Sequence, residues 1–161
     1  MIKIYTDAGF SYQKNLNEKF IKGNLAYKIG NESTQMIELH LDPIPNLYQY
    51  NNVYEFNAIN FALQIALKKG ITKIDLFTDS LVAYWWFKRK KNNLRKFSET
   101  HYQIKQEIDK LVKEFSKINI NHINRNCNLV GIDLEKYQRR YQKQEIIKIY
   151  YQLKSNQLSL F

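Results

Sequence analysis

Long apolar runs, cysteine, proline and glycine are all scarce in this chain of 161 residues. No stretch approaches the ~20 apolar residues that span a bilayer, and the beginning of the chain lacks a secretory signal, so we expect no membrane segment. The single cysteine, Cys127, has no partner for an internal disulfide, which favours a reducing, cytoplasmic setting. Two prolines and five glycines exclude collagen-like and low-complexity classes.

Acidic residues are also fewer than basic ones. The 25 Lys and Arg outnumber the 15 Asp and Glu, and the formal charge of +10 favours a polyanionic partner such as nucleic acid, with simple solubility as the alternative. An apolar fraction of 44% is sufficient to fill a core. The length predicts one domain, over residues 1–154, with a short tail over 155–161, and we expect a monomer.

Hydrophobic periodicity predicts an α/β order of elements. Strands are predicted at 2–6, 20–29, 33–41, 73–78 and 118–123. Helices are predicted at 53–69, from 81, at 99–116 and at 129–154. The first three strands are joined by short turns, so the expected architecture is a five-stranded mixed sheet, three antiparallel strands and then two parallel ones, flanked by helices.

Three acidic residues occur where such a sheet would bring them together. Asp7 and Asp79 end the first and fourth strands, whose carboxyl ends would lie ~4.8 Å apart if the strands are parallel neighbours. Glu55 occupies the first turn of the predicted intervening helix. Singly, the three have ordinary explanations as a turn residue, a helix-terminal charge and a helix cap. Together they would repel one another and require cations, for which Mg²⁺ is the natural choice.

Four segments, in order, resemble motifs of type I ribonuclease H. They are Tyr5-Thr6-Asp7-Ala8-Gly9, Asn51-Asn52-Val53-Tyr54-Glu55-Phe56-Asn57-Ala58, Leu76-Phe77-Thr78-Asp79-Ser80 and His122-Ile123-Asn124-Arg125-Asn126-Cys127-Asn128. The resemblance spans about residues 2–137 and implies a ribonuclease H-like fold. It also implies cleavage of the RNA strand of RNA–DNA hybrids to 5′-phosphate and 3′-hydroxyl ends, with two Mg²⁺ ions, or Mn²⁺, held by Asp7, Glu55, Asp79 and a fourth acid.

The fourth acid departs from the family pattern. The family's aspartate falls four residues after the motif asparagine, and that position is Ile132. Asp133 comes one position later and Glu135 three. Because helix residues three apart share a face, Glu135 is the better geometric substitute; Asp133 and the absence of any fourth ligand remain open. The resemblance also implies a role in proton transfer or product release for His122, with a surface histidine as the alternative.

Substrate contacts are implied for several polar and basic residues. Asn51 and Asn52 would contact the 2′-hydroxyls of a hybrid, or cap the helix. Ala8 and Gly9 would let the backbone approach the cut strand. Further contacts are implied for Asn128 and for the basic residues Lys88, Arg89, Lys90, Lys91, Arg95 and Lys96. These cations would bind phosphates without reading sequence, with a solvated helix face as the alternative.

The last five residues, Gln157-Leu158-Ser159-Leu160-Phe161, resemble the peptide by which bacterial replication and repair proteins dock on the DNA polymerase sliding clamp. Such a peptide binds in an extended form and fills apolar pockets, whereas the alternative is a tail folded back on the domain. The predicted function is therefore a metal-dependent hybrid endoribonuclease recruited to the clamp. The rival functions are a catalytically weak hybrid- or duplex-binding adaptor and a nuclease of the same fold acting on another duplex.

Overall fold

Six strands form one mixed sheet in the computed structural model of the protein, which describes residues 1–11, 21–41, 50–88, 99–140 and 147–151. The strands are β1 (Ile2–Ser11), β2 (Ile21–Ile29), β3 (Gln35–Leu41), β4 (Lys73–Thr78), β5 (Lys117–His122) and β6 (Ile147–Tyr151). Their order across the sheet is β5-β4-β1-β2-β3-β6. Strands β1 to β3 pair antiparallel, and β4 and β5 pair parallel beside β1, which confirms the predicted five-stranded mixed arrangement.

The sixth strand corrects one prediction. Instead of one helix over 129–154, the structure has a helix that ends at Arg140 and a strand, β6, that pairs parallel with β3. The sequence Ile147-Lys148-Ile149-Tyr150-Tyr151 is rich in β-branched and aromatic residues, which favour a pleated strand over a helix. Pairing with the edge of β3 also satisfies its backbone groups.

Four helices complete the described fold. They are α1 (Tyr50–Lys68), α2 (Leu81–Lys88), α3 (Glu99–Glu114) and α4 (Leu129–Arg140). Helix α1 begins three residues earlier than predicted and stops before Gly70, whose φ of 75° is the left-handed conformation that glycine adopts at little cost. In the part of the chain that the structure describes, no helix has the length and apolar character needed to cross a membrane.

The two faces of the sheet are covered differently. Helices α1, α2 and α3 contribute with the sheet to the main core, whose sheet side includes Ile4, Leu76 and Ile120. Helix α4 packs on the other face, where Val130 and Leu134 form a smaller cluster with residues of β2 and β3. Burial of these apolar side chains is the main stabilising contribution to the fold.

A close contact between β2 and α1 fixes the helix that carries Glu55. Tyr54 is fully buried, and its ring occupies the space where residue 23 has no side chain. A Cβ at Gly23 would lie 2.4 Å from Cε1 of Tyr54, which is well inside van der Waals contact. Glycine at this position therefore allows α1 to pack against β2, with Glu55 directed toward Asp7 and Ala8 of β1.

Candidate active site

Two parallel strands bring Asp7 and Asp79 to neighbouring positions. Thr6 of β1 pairs with Thr78 of β4, and each aspartate is the next residue of its chain segment. Helix α1 supplies Glu55, and carboxylate oxygens of the three residues all lie within 4.8 Å of one another. The geometry thus brings together the three acidic residues singled out in the sequence, which we call the acidic cluster.

The ordinary explanations for these acids do not describe the structure. Strand β1 does not stop at residue 6, as predicted, but continues to Ser11, so Asp7 is neither a turn residue nor the end of a strand. Ser80, rather than Asp79, caps α2, because its Oγ accepts a hydrogen bond from the Ala83 amide at 3.2 Å. Glu55 is the sixth residue of α1 and lies in its second turn, beyond the first-turn position predicted from the sequence. A favourable charge at the helix N-terminus is therefore a poor account of Glu55, since that effect fades beyond the first turn.

Burial and mutual repulsion raise the pKa values of two members of the cluster. Burial, followed by the negative charge of Asp79, raises the pKa of Asp7 to about 6. Burial, followed by the charges of Asp7 and Asp79, raises the pKa of Glu55 well above its usual range. Asp7 and Glu55 share a hydrogen bond that favours the charge on Asp7 and the proton on Glu55. The cluster is therefore a strained anionic site that a cation would relieve.

The beginning of α4 is fixed directly against Asp7. The fully buried Asn128 donates a hydrogen bond from Nδ2 to the Thr6 carbonyl at 3.0 Å, and its own carbonyl accepts the amide of Ile132 at the start of the helix. A Cβ at Gly131 would lie 2.7 Å from Oδ2 of Asp7. The absence of a side chain at Gly131 lets the backbone of α4 approach the Asp7 carboxylate. Because the Asn128 side chain has no exposed surface, we assign it a positioning role.

The candidates for the fourth acid occupy different sides of α4. Asp133 is partly buried and accepts a hydrogen bond from the Thr34 hydroxyl at 2.5 Å, beside the beginning of β3. Glu135 is exposed and lies four residues after Gly131, so the two share a helix face. Neither belongs to the acidic cluster, which within the described ranges contains three carboxylates.

His122 and Arg125 lie near the same sheet edge. His122 is the last residue of β5, pairs with Thr78, and places its exposed ring 5.8 Å from the ring of Tyr84. The positive charge of Arg125 lowers the pKa of Asp7 and so opposes the larger effect of burial. Sequence reasoning singled out His122 but gave no role to Arg125, although the arginine belongs to the same motif.

The predicted substrate contacts are only partly within the described residues. Ala8 and Gly9 lie in β1 and are partly buried, and Asn52 is partly buried in the first turn of α1. Asn51 belongs to the same turn. Lys88 is exposed at the end of α2, with its Nζ 5.7 Å from the centre of the Tyr84 ring. Two predicted groups lie outside the described residues: the basic positions Arg89, Lys90, Lys91, Arg95 and Lys96, and the terminal peptide Gln157, Leu158, Ser159, Leu160 and Phe161.

Comparison with protein-family models identifies the family. A model described as reverse transcriptase-like matches residues 48–137, which is more than half of the chain and includes Glu55 and Asp79. The chain belongs to this reverse transcriptase-like family. Its fold is ribonuclease H-like, as the sequence motifs implied. No curated protein sequence matches the chain significantly.

Solved structures of ribonuclease H proteins are similar to this member of the family. Ribonuclease H1 from the halophilic archaeon Halobacterium salinarum NRC-1 has a TM-score of 0.61 at 16% identity, over 83% of this chain and 92% of that chain. The N-terminal ribonuclease H domain of rv2228c from Mycobacterium tuberculosis has a TM-score of 0.61 at 14% identity, over 88% and 98%. LC11-RNase H1, in complex with an RNA/DNA hybrid, has a TM-score of 0.60 at 19% identity, over 83% and 93%. At these identities the similarity establishes the fold.

Proposed function

We propose that this protein is a metal-dependent endoribonuclease that hydrolyses the RNA strand of RNA–DNA hybrids to 5′-phosphate and 3′-hydroxyl ends. The observation that carries the proposal is the acidic cluster, whose three carboxylates come from β1, α1 and the end of β4. Membership of the reverse transcriptase-like family supports a nuclease, and one similar structure is a ribonuclease H1 bound to a hybrid. The alternatives are an adaptor that binds without cleaving and a nuclease for another duplex.

The donor set of the cluster fits a divalent metal ion. Oε2 of Glu55 is buried without a hydrogen-bond partner, and the pKa values of Asp7 and Glu55 are raised by burial and by neighbouring negative charge. Oxygen donors of this kind suit Mg²⁺, and Mn²⁺ is the alternative ion. Two such ions would activate a water molecule and stabilise the leaving oxygen of the phosphodiester.

The chain's own residues hold and surround this site. Asp7 is central to the site. It shares a hydrogen bond with Glu55, is repelled by the charge of Asp79 and lies against Gly131. Arg125 contributes positive charge beside Asp7, where the phosphate of a substrate would add negative charge. His122, exposed at the end of β5 and paired with Thr78, is the residue proposed for proton transfer or product release. Asn52, Ala8 and Gly9 adjoin the acidic cluster along the chain and would contact the hybrid.

Glu135 is the proposed fourth acid. We expect Glu135→Gln to lower the cleavage rate at limiting Mg²⁺ by about 10- to 100-fold, and a higher Mg²⁺ concentration to restore part of it, because a lost or weakened ligand lowers metal affinity. Asp133→Asn is the matched control, since Asp133 bonds to Thr34 on another side of α4. Rates measured against Mg²⁺ concentration decide between them, and a larger loss in Asp133→Asn would reverse the assignment.

The terminal peptide is proposed to dock on the sliding clamp. Strand β6 runs parallel to β3, which runs parallel to β1 because β2 is antiparallel to both. Strand β6 therefore runs in the same direction as β1 and ends at Tyr151. A clamp bound to this tail would hold nucleic acid on the same side as the acidic cluster and raise its effective concentration.

Replacing both terminal apolar anchors tests the docking. We expect Leu160→Ala with Phe161→Ala to weaken clamp binding by 100-fold or more, since buried anchors carry about 2 kcal/mol or more each. Hydrolysis of a free hybrid should remain at the wild-type rate. Surface plasmon resonance on an immobilised bacterial clamp measures the loss, and Ser159→Ala serves as a control within the same peptide. Unchanged clamp binding by the double variant would refute the docking.

A panel of duplexes tests the hydrolase itself. Purified full-length protein is incubated with labelled RNA–DNA hybrid, duplex RNA and duplex DNA in the presence of Mg²⁺ or Mn²⁺. Cleavage of the RNA strand of the hybrid alone supports the proposal, because the 2′-hydroxyls and shape of the minor groove distinguish the three substrates. Hybrid binding without cleavage would establish the adaptor, and cleavage of another duplex would establish the third function.

A further inference from the structure

Part of the sheet surface next to the acidic cluster is not covered by any described helix. Alternate residues of β1, β4 and β5 face away from the main core, on the side of the sheet where α4 packs. Helix α4 lies mainly over β1 and β2, and Tyr5 of β1 packs against the α4 cluster. We call this surface the open face. It consists of Lys3, Lys73, Asp75, Phe77, Lys117, Asn119 and Asn121, with the partly buried Tyr5 at its border with α4.

The strand register arranges the open face in rows. Tyr5, Phe77 and Asn121 are paired across the three strands, and two residues earlier Lys3, Asp75 and Asn119 are paired in the same way. A third row pairs Lys73 with Lys117. Successive rows are ~6.6 Å apart, because each residue advances a strand by about 3.3 Å. Asp7 and Asp79 follow the aromatic row at the same spacing, so the rows lead directly away from the acidic cluster.

The row nearest the cluster is aromatic. The rings of Tyr5 and Phe77 are stacked with centroids 4.9 Å apart and an interplanar angle of 15°, and Nζ of Lys3 lies 6.0 Å from the centre of the Phe77 ring. The Asn121 amide donates a hydrogen bond to the Leu76 carbonyl at 3.4 Å, which holds that side chain against the backbone beside the rings. Such a pair can extend its stack with a nucleobase, which is how proteins bind unpaired bases without reading their sequence.

The remaining rows carry excess positive charge. Lys3, Lys73 and Lys117 are exposed, and the one carboxylate among them, Asp75, accepts a hydrogen bond from Asn119 at 2.8 Å. Lysines spaced along a surface contact phosphates, whereas lysine is depleted at the centres of protein–protein interfaces. The charge therefore favours nucleic acid over a protein partner on this face.

We propose that the open face binds single-stranded nucleic acid, with bases on the Tyr5–Phe77 pair and phosphates on Lys3, Lys73 and Lys117. A duplex fits less well, because its bases already stack on one another and hide their faces. If the proposed hydrolase function holds, the face carries an unpaired extension of the hybrid away from the acidic cluster. Binding to the face does not itself depend on that activity.

Fluorescence anisotropy of labelled ten-nucleotide oligothymidylate and oligouridylate, with the full-length protein in EDTA, tests the binding. We expect Lys73→Ser with Lys117→Ser to weaken binding of both oligomers by about tenfold and to reduce the salt slope by ~1.4, since each lost phosphate contact on a single strand removes ~0.7. The matched control is Lys68→Ser with Lys113→Ser, which removes the same charge at exposed positions on α1 and α3. Comparison of the two oligomers shows whether DNA or RNA is preferred.

The outcomes are distinct from those of the hydrolase test. Equal weakening in the two double variants, or no binding of either oligomer by the wild-type protein, would overturn the proposal. For cleavage, we expect a hybrid with a ten-nucleotide single-stranded extension to have a lower KM than a blunt hybrid, and the Lys73/Lys117 variant to lose this difference. An inactive protein that still binds oligomers through these lysines would refute the hydrolase and support the open face.

Discussion

Asp79→Asn is expected to abolish hybrid cleavage, with a loss of about 1,000-fold or more in the single-turnover rate, equivalent to about 4 kcal/mol of activation free energy. Asp79 supplies one of three carboxylates whose oxygens lie within 4.8 Å of one another. An amide of the same shape keeps the packing but removes the charge and half of the oxygen donors, so a divalent ion is held poorly. Quenched-flow cleavage of a labelled hybrid at saturating Mg²⁺ measures the loss.

A control variant on the surface separates the loss of a metal ligand from the mere loss of a negative charge. Asp109 is exposed on α3, and Asp109→Asn removes the same charge at a position outside the acidic cluster. We expect this variant to cleave at the wild-type rate and both variants to have wild-type circular dichroism spectra. An Asp79→Asn protein that retains more than a tenth of the wild-type rate would contradict the assignment of Asp79 to the metal site.

The convergence of the three acids was predictable because each follows a strong local pattern. The alternation of Ile2, Ile4 and Thr6 predicts a strand that reaches Asp7, although β1 continues to Ser11, and the similar pattern of β4 ends at Thr78, just before Asp79. Once β1 and β4 are parallel neighbours with Thr6 paired to Thr78, the next residue of each segment lies at the same level of the sheet. Strand periodicity of two residues leaves little freedom in register where one face is buried.

The surroundings of the acids depend on tertiary contacts that periodicity does not contain. The approach of α4 to β1 requires the absence of a side chain at Gly131. It also requires the hydrogen bond from Asn128 to Thr6, two residues that lie 122 positions apart in the sequence. The fourth acid is ambiguous for the same reason, since the beginning of α4 decides which face Asp133 and Glu135 present. The buried Asn128 precedes α4, and its bonds to Thr6 and Ile132 are contacts that helix propensity does not contain.

The last strand shows the limit of pattern reading most directly. Apolar residues after Arg140 continue a spacing that is compatible with a helix, and this spacing predicts that α4 extends to residue 154. The exposed edge of β3 offers unpaired backbone groups, and a segment rich in isoleucine and tyrosine pairs with it as β6. The choice depends on an edge that is formed by residues more than 100 positions earlier in the chain.

Asp7→Asn is expected to increase the stability of the metal-free protein at neutral pH while destroying its response to Mg²⁺. The pKa of Asp7 is raised from 3.8 to about 6 in the folded state, so between these values the folded protein keeps a proton that the unfolded chain releases. The free energy of unfolding therefore falls as pH rises through this window. Ionisation of Asp7 above pH 6 lowers the free energy of unfolding by about 2 kcal/mol, after allowance for solvent at this partly exposed group. An amide at this position does not ionise and so avoids this loss.

Urea unfolding in EDTA at pH 4.5 and pH 7 measures the effect as a difference between proteins. We expect Asp7→Asn to exceed the wild type by about 2 kcal/mol at pH 7 and by less at pH 4.5, because the wild-type carboxyl is largely protonated at the lower pH. Mg²⁺ at 100 times its dissociation constant should stabilise the wild type by about 2.7 kcal/mol and leave the variant unchanged. Asp109→Asn should follow the wild type in all three conditions. The contrary result would be a metal-free Asp7→Asn protein that is less stable than the wild type at pH 7. It would mean that hydrogen bonds to the charged Asp7 carboxylate outweigh the cost of its burial and of repulsion by neighbouring acids. The acidic cluster would then stabilise the fold and would not be a site that requires cations.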